Sequence, residues 1–351
     1  MKLYLLYGGK SAEHDVSIIS ASNILEEIYY NIYQVIPVYI TQDGHWLKGD
    51  LIESTDDLPS LAAMRLDDSY EELDFSELKG DDVIVFPVLH GPNGEDGTIQ
   101  GFLEVLDVPY VGAGVLGSAT GMDKIVSKTL FEAAGIPILP FIPVFPAEWA
   151  AVKEEVIERI EDKLRYPLYV KPANLGSSVG ISEVVTSEEL EEAINLAFSY
   201  DNRVLVEQGI IAREVEIAVL GNEDVHTSVV GELVKETQFY DYDSKYLNNE
   251  VTLQIPAMMS SQLSSQLREY AATAFLAIGG AGLSRADFFV TADEEIYINE
   301  LNTFPGFTSI SMYPKLWEAT GLSYSDLIEE LIQLGLQRYE SRRQSYGKQR
   351  K

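Results

Sequence analysis

Residues 3–40 read LYLLYGGKSAEHDVSIISASNILEEIYYNIYQVIPVYI, and this stretch decides the fold class. Leu3–Tyr7 is a short apolar run that stops at Gly8-Gly9, and Val35–Ile40 is a second one, rich in β-branched residues. Both read as strands. Between them, Val16–Tyr30 places Val16, Ile19, Asn23, Ile24 and Ile28 at helical spacing with one polar lapse. Strand, helix, strand in that order predicts an α/β fold with a doubly wound parallel sheet. Val83–Val88 supplies another strand. The apolar start is too short for the core of a signal peptide and lacks a small-residue cleavage site, so it is expected to be the first strand.

Outward from that core the texture changes. Leu51–Gly80 is acidic and irregular, as a surface excursion would be. Gly112–Gly121 is rich in Gly, Ala and Ser and is expected to be a domain junction. Helices are expected at Asp123–Ala134, Ala147–Leu164, Ser187–Phe198 (opened by a Ser-x-x-Glu cap), Gln262–Ile278 and Ser325–Leu336. Strands are expected at Leu168–Lys171, Val204–Glu207, Val215–Leu220, Ser284–Val290 and Ile296–Leu301. Three units follow: 1–121, 122–210 and 211–351.

Composition excludes several classes of function. With 46% hydrophobic residues spread along 351 positions, the chain is globular. It has no cysteine, so disulfides, thiolate metal sites and cysteine nucleophiles are ruled out. No apolar run approaches the ~20 residues needed to span a bilayer, and a soluble cytoplasmic protein is expected. The net charge of −31 repels nucleic acid and anionic lipid. It repels nucleotide phosphates as well, so a nucleotide site would need its own local cations. The basic tail from Arg338 to Lys351 reads as a frayed helix end suited to the C-terminal dipole, or else as a partner-binding tail.

The sharpest chemical signal lies near the end of the chain. Arg285 and Asp287 share one strand face, and Ile296, Ile298, Glu300 and Asn302 are expected to share another. If Val290 lies opposite Tyr297 across the Thr291–Glu295 turn, Asp287 falls opposite Glu300, about 5 Å away. Two carboxylates and an amide carbonyl suit an oxygen-liganded Mg²⁺. The alternative is a solvated sheet face, against which Phe288, Phe289, Ile296 and Ile298 argue.

Other segments are weaker. Lys171–Gly180, KPANLGSSVG, follows a strand, and its glycines, serines and lysine could cradle phosphate or serve as a flexible turn. Gly9-Lys10-Ser11 resembles the end of a P-loop, but that motif's first glycine would fall at Tyr4. No Gly-x-Gly-x-x-Gly follows the first strand. Glu13, where strand one gives way to helix, could accept a substrate ammonium or merely favour the helix N-terminus. His90, in His90–Gly97, could bond a ligand or be an ordinary turn histidine. Tyr240–Tyr246 could be a lid or a loop.

Taken in order and spacing, Gly8–Ser17, His90–Gly97, Lys171–Gly180, Tyr240–Tyr246, Arg285–Asp287 and Glu300–Ser311 resemble the D-alanine–D-alanine ligase family of ATP-grasp enzymes. The resemblance covers the chain to about residue 337. It implies a three-domain ATP-grasp architecture: an N-terminal α/β substrate domain, then central and C-terminal α/β domains that hold ATP between them.

By that resemblance, Lys124, Lys171 and Ser178 contact ATP phosphates. Glu207, Gln208 and Ile210 line the adenine pocket, and Glu214 binds the ribose. Asp287, Glu300 and Asn302 hold two Mg²⁺ ions, for which Mn²⁺ can substitute. Glu13 meets the first D-alanine's ammonium and forms a triad with Ser177 and Tyr246. Arg285 and the Gly306 N–H form the oxyanion site, Ser311 and Lys245 hold the second carboxylate, and His90 contacts substrate. The implied partners are D-alanine and ATP, with a homodimer as the assembly and peptidoglycan precursor synthesis as the setting. Competing readings are a D-alanine–D-lactate ligase, with Tyr246 as the discriminating position, and a non-catalytic nucleotide-binding regulator.

Overall fold

The computed structural model describes residues 1–235 and 251–349. Strands β1 (Lys2–Gly8), β2 (Gln34–Ile40), β3 (Trp46–Lys48) and β4 (Val83–Val88) form a sheet in the order β3-β2-β1-β4. β1 runs parallel to both β2 and β4, and β3 is an antiparallel edge. Alternation along β1 sends Leu3, Leu5 and Tyr7 into one core and Tyr4 and Leu6 into the other. Helix α1 (His14–Glu27) covers the first face through Ile18, Ala21 and Ile24. Helix α2 (Thr98–Val105) covers the second with Ile99 and Leu103. The sheet is doubly wound, as expected from the first forty residues.

The acidic excursion is less peripheral than its composition suggests. Ile52, Met64, Leu73 and Leu78 are buried, so four apolar residues pin residues 51–80 to the two faces. Most of the Gly112–Gly121 stretch is regular: Val115–Met122 forms helix α3. Its glycines allow close packing, since a Cβ on Gly117 would lie 2.5 Å from the Gly279 carbonyl oxygen.

Helix α4 (Lys124–Ala133) starts at Asp123, whose carboxylate accepts from Ile125 N and Val126 N. Strands β5 (Phe141–Val144), β6 (Leu168–Pro172), β7 (Ser182–Val184) and β8 (Val204–Gln208) make an antiparallel sheet in the order β5-β8-β6-β7. Helices α5 (Pro146–Lys163) and α6 (Ser187–Phe198) pack Val156, Ile160, Leu190 and Ile194 against it. The expected cap of α6 is shifted by one residue. Thr186 is the N-cap and makes no side-chain cap bond, while Glu189 accepts from Val185 N.

The third sheet is β11-β10-β9-β12-β13, built from β9 (Arg213–Gly221), β10 (Val225–Lys235), β11 (Val251–Gln254), β12 (Gly282–Val290) and β13 (Ile296–Asn302). Helix α7 (Ser261–Ala277) covers one face. Helices α8 (Met312–Thr320) and α9 (Tyr324–Gln349) cover the other, where Leu316, Leu327 and Leu331 join the core that also holds β1 and α1. The N-terminal sheet and the third sheet thus share a core. The basic end of α9 is anchored rather than frayed at its start. The Arg338 guanidinium lies 4.1 Å over the Tyr110 ring, and Arg342 pairs with Glu104 at 3.1 Å. No helix among the described residues is long and apolar enough to cross a membrane.

Candidate functional site

A polar cavity opens where the ends of the three sheets meet. It is lined by Glu13, His90, Glu95, Lys124, Ser177, Arg285, Glu300, Asn302 and Gly306, among others. Glu13 sits at the N-cap of α1, but its side chain makes no cap hydrogen bond. Its carboxylate accepts instead from Ser177 Oγ at 2.5 Å. Ser177 and the adjacent half-buried Ser178 both adopt left-handed backbone, φ 51° and 59°. Such conformations cost non-glycine residues roughly 1–3 kcal/mol each and persist where surrounding structure enforces them. Two glycines make room for Glu13. A Cβ on Gly91 would lie 2.6 Å from Glu13 Oε2, and one on Gly176 would lie 3.3 Å from it.

Behind Glu13 lie two buried titratable groups. His90 donates from Nδ1 to the Phe304 carbonyl at 3.3 Å and accepts at Nε2 from Ser20 Oγ at 2.9 Å. Burial lowers its pKa, with Glu13 opposing, which favours the neutral ring that donates from Nδ1 and accepts at Nε2. His90 therefore lines the cavity with both ring nitrogens spent on the protein. Glu95 accepts from Gly91 N at 2.9 Å. Its pKa is pushed up to about 8, first by burial and then by the Glu13 charge.

The β12–β13 hairpin carries the charged wall. Its register corrects the sequence reading: Val290 pairs with Ile296, not Tyr297, and a bulge between Asp287 and Phe288 restores Asp287 opposite Glu300. The extra residue also breaks the strict alternation along β13. Ile298 and Leu301 enter the core with Ala286 and Phe288, whereas Glu300 and Asn302 line the cavity. The apolar residues expected beside the carboxylates thus belong largely to the opposite face.

Arg285 grips Asp287 with two bonds of 2.7 Å and reaches Glu216 at 3.0 Å. Burial opposes its charge, but Asp287 and Glu216 outweigh that and raise its pKa. Asn302 donates to Asp287 at 3.0 Å, and Lys124 meets Glu300 at 3.0 Å and the Leu175 carbonyl at 2.8 Å. No group of three or more His, Cys, Asp or Glu among the described residues could hold a metal by itself. The Asp287, Glu300 and Asn302 set offers two carboxylates and one amide, which fits an ion completing its shell with water and phosphate oxygens.

Further along the cleft, Lys171 on β6 and Glu207 on β8 form a diagonal cross-strand pair at 2.6 Å, with Lys171 opposite Leu205 and Glu207 opposite Tyr169. Lys171 also reaches Asn299, the bulge residue of β13, at 3.3 Å. The Gln208 side chain turns to Arg165, bonding its N at 2.8 Å and its O at 2.7 Å. Ile210 is half-buried, and so is Glu214 on β9 beside Phe289 of β12. Ser311 holds the N-cap position of α8 without a side-chain cap bond, and its Oγ accepts from Thr308 N at 3.0 Å, outside the cavity lining. Lys245, Tyr246 and the whole Tyr240–Tyr246 segment lie outside the described residues.

Sequence reasoning missed three participants. Lys128, one turn after Lys124 on α4, pairs with Glu207. Its i, i+4 spacing from Lys124 on a half-apolar helix was the available signal. Glu95 stood inside a quoted motif without a role. Glu216 carried no local signal, because only the pairing of β9 with β12 sets it opposite Asp287.

Two family models and several known proteins match this chain. A model of the D-ala D-ala ligase N-terminus matches residues 2–113, and one of the D-ala D-ala ligase C-terminus matches residues 130–333. The chain is 54% identical to a D-alanine–D-alanine ligase of Enterococcus faecalis over 97% of its own length and 100% of the relative's. It is 53% identical to that of Enterococcus hirae, over 97% and 98%. Among solved structures, the VanG D-Ala:D-Ser ligase of Enterococcus faecalis superimposes with a TM-score of 0.85 at 37% identity, over 95% of this chain and 99% of that one. The D-alanine–D-alanine ligase of Coxiella burnetii gives 0.83 at 34% identity, over 99% and 97%. From its two family models and its full-length relatives, this chain belongs to the D-alanine–D-alanine ligase family and has the ATP-grasp fold.

Proposed function

We propose that this protein joins two D-alanine molecules into D-alanyl-D-alanine at the expense of ATP, releasing ADP and phosphate, for peptidoglycan precursor synthesis. The observation that carries the reading is the cavity that Glu13 lines together with Arg285, Lys124 and Glu300, in a chain 54% identical to a named D-alanine–D-alanine ligase.

A carboxylate is a poor electrophile, so its oxygen first takes the γ-phosphoryl group to give an acyl phosphate. That step calls for positioning and charge neutralisation more than for covalent chemistry by the protein. Lys124 and Lys171 supply the local cations that a chain of net charge −31 requires. Asp287, Glu300 and Asn302 would hold Mg²⁺, which when bound neutralises the charge developing on the phosphoryl oxygens. Glu207, Gln208, Ile210 and Glu214 would line the nucleoside side of the cleft and Ser178 its phosphate side, with Gln208 contributing through its backbone because its side chain is engaged by Arg165. Glu13 would hold the first ammonium. The second amine then attacks, and Arg285 with Gly306 N–H stabilises the tetrahedral oxyanion. Ser311 and Lys245 would take the second carboxylate, and Tyr246 would complete the contact between Ser177 and Glu13. The units 1–121, 122–210 and 211–351, a homodimer and a cytoplasmic location complete the proposal.

One structural relative is a D-Ala:D-Ser ligase, so the nucleophile is the specificity question. The test offers D-alanine, D-serine and D-lactate together and analyses the products. D-Alanyl-D-alanine should dominate at neutral pH, and a product mixture led by D-serine or D-lactate would reassign the second substrate.

A further inference from the structure

Lys128 has no exposed surface, and its ammonium meets Glu207 through Oε1. Lys171 takes Oε2 of the same carboxylate. Glu207 is itself 1% exposed, so one buried anion is shared by two cations. The two lysines differ in what else they can reach. Lys171 lies on a strand and already touches Asn299 across the cleft. Lys128 lies on α4, below Lys124, and Glu207 is its ion-pair partner among the described residues.

A buried carboxylate with one cation is costly to strip of that cation, because the charge left behind is neither solvated nor paired. Were Lys171 the sole partner of Glu207, it would stay on the carboxylate rather than move to another anion. The second cation changes that balance. Two positive charges and one negative charge leave a surplus of one, and the Lys128–Glu207 pair stays neutral when Lys171 turns away. Burial lowers the Lys128 pKa and Lys171 repels it further, so departure of Lys171 also relieves Lys128. Glu207, despite its burial, is held below the usual carboxylate range by the two ammonium groups.

We propose that Lys128 is a positioning residue: it is the standing counterion of Glu207, which allows Lys171 to exchange that carboxylate for a nucleotide phosphate. This rests on the assignment of Lys171 to ATP phosphates made above. The role explains why a fully buried lysine, costly to desolvate, occupies the inner face of α4 beside Phe131.

The test measures ADP affinity by calorimetric titration for wild type, Lys128→Met, Lys128→Arg, Glu207→Gln and Lys128→Met/Glu207→Gln, with thermal melts to confirm folding. Lys128→Met keeps the length and removes the charge, so Lys171 is retained by Glu207 and ADP binding weakens by roughly 10–100-fold. The KM for D-alanine at saturating ATP stays within about twofold, because Glu13 and Arg285 are untouched. In a Glu207→Gln background no counterion is needed, so there Lys128→Met changes ADP affinity by less than about threefold, whatever Glu207→Gln itself costs, while Lys128→Arg in the wild-type background keeps most of the affinity. Unchanged ADP affinity in Lys128→Met, or a double variant that binds ADP more than about threefold worse than Glu207→Gln alone, overturns the proposal. If Lys128→Met does not fold, the comparison of the double variant with Glu207→Gln alone carries the test, since Lys171 has lost the same carboxylate in both. Wild type that binds no adenine nucleotide overturns the reading of the cleft itself, a result distinct from failure of the Lys128 comparison.

Discussion

Ser177 Oγ donates a 2.5 Å hydrogen bond to Glu13 Oε1 across 164 positions of sequence. The bond ties the glycine-serine loop after β6 to the N-terminal end of α1 and closes one side of the cavity. A hydrogen bond to a charged partner contributes about 1.5–3 kcal/mol. Ser177→Ala should therefore lower kcat/KM for D-alanine by about 10–100-fold with a melting temperature close to wild type. A wild-type kcat/KM would show that closure of this loop on Glu13 has no part in turnover.

Glu300→Gln preserves shape and removes one charge from the group that Lys124 contacts at 3.0 Å. Activity should fall by at least ~100-fold while stability barely changes, the scale on which lost transition-state electrostatics acts. The same variant should need more Mg²⁺ for half-maximal rate. Full activity at ordinary Mg²⁺ would remove Glu300 from the phosphoryl-transfer site.

Gly91 and Gly135 separate crowding from strain. Both have positive φ, 73° and 79°, so alanine is strained at either. At Gly135 the new Cβ meets nothing within 4 Å, whereas at Gly91 it meets Glu13 Oε2 at 2.6 Å. Gly135→Ala should cost about 1–2 kcal/mol of stability and leave kcat/KM within about twofold. Gly91→Ala should add a loss of at least ~10-fold in kcat/KM, because Glu13 must move. Equal kinetics for the two would mean that the position of Glu13 is not critical.

Glu95 gives the protein a pH signature. Its pKa is about 8 when folded, against roughly 4.3 in an unfolded chain. Between those values the folded state holds the extra proton, so this group's contribution to stability falls as pH rises and levels off above about 8. Glu95→Gln keeps an acceptor for Gly91 N–H and removes the titration. The melting temperature of the variant relative to wild type should rise steadily from pH 5 to 8, then stay flat. A difference independent of pH would mean that Glu95 is ionised in the folded protein.

How much of this was legible in the chain depends on how local each signal was. The β1–α1–β2 unit shows in residues 3–40 because strand and helix periods are written side by side there. Asp287 opposite Glu300 was reached from an assumed register that the bulge at β13 then replaced, since a one-residue insertion leaves no trace in an apolar pattern. Gly112–Gly121 reads as a junction from its Gly, Ala and Ser content, which gives no sign of the helix at Val115–Met122 that close packing of Gly117 on Gly279 accompanies. Glu216 and the shared core of β1 with α9 depend on pairings between distant segments. Lys128 was passed over because a lysine on a helix ordinarily faces water, and only the fold shows it buried on Glu207.

In the proposed reaction the carboxylate of one D-alanine is phosphorylated by ATP before the second amine attacks. Turnover with D-alanine labelled by ¹⁸O in its carboxylate, followed by mass analysis of the released phosphate, tests it most directly. One ¹⁸O should appear in phosphate for each D-alanyl-D-alanine formed, and none should be released with L-alanine in its place. Dipeptide formed together with unlabelled phosphate would contradict the account.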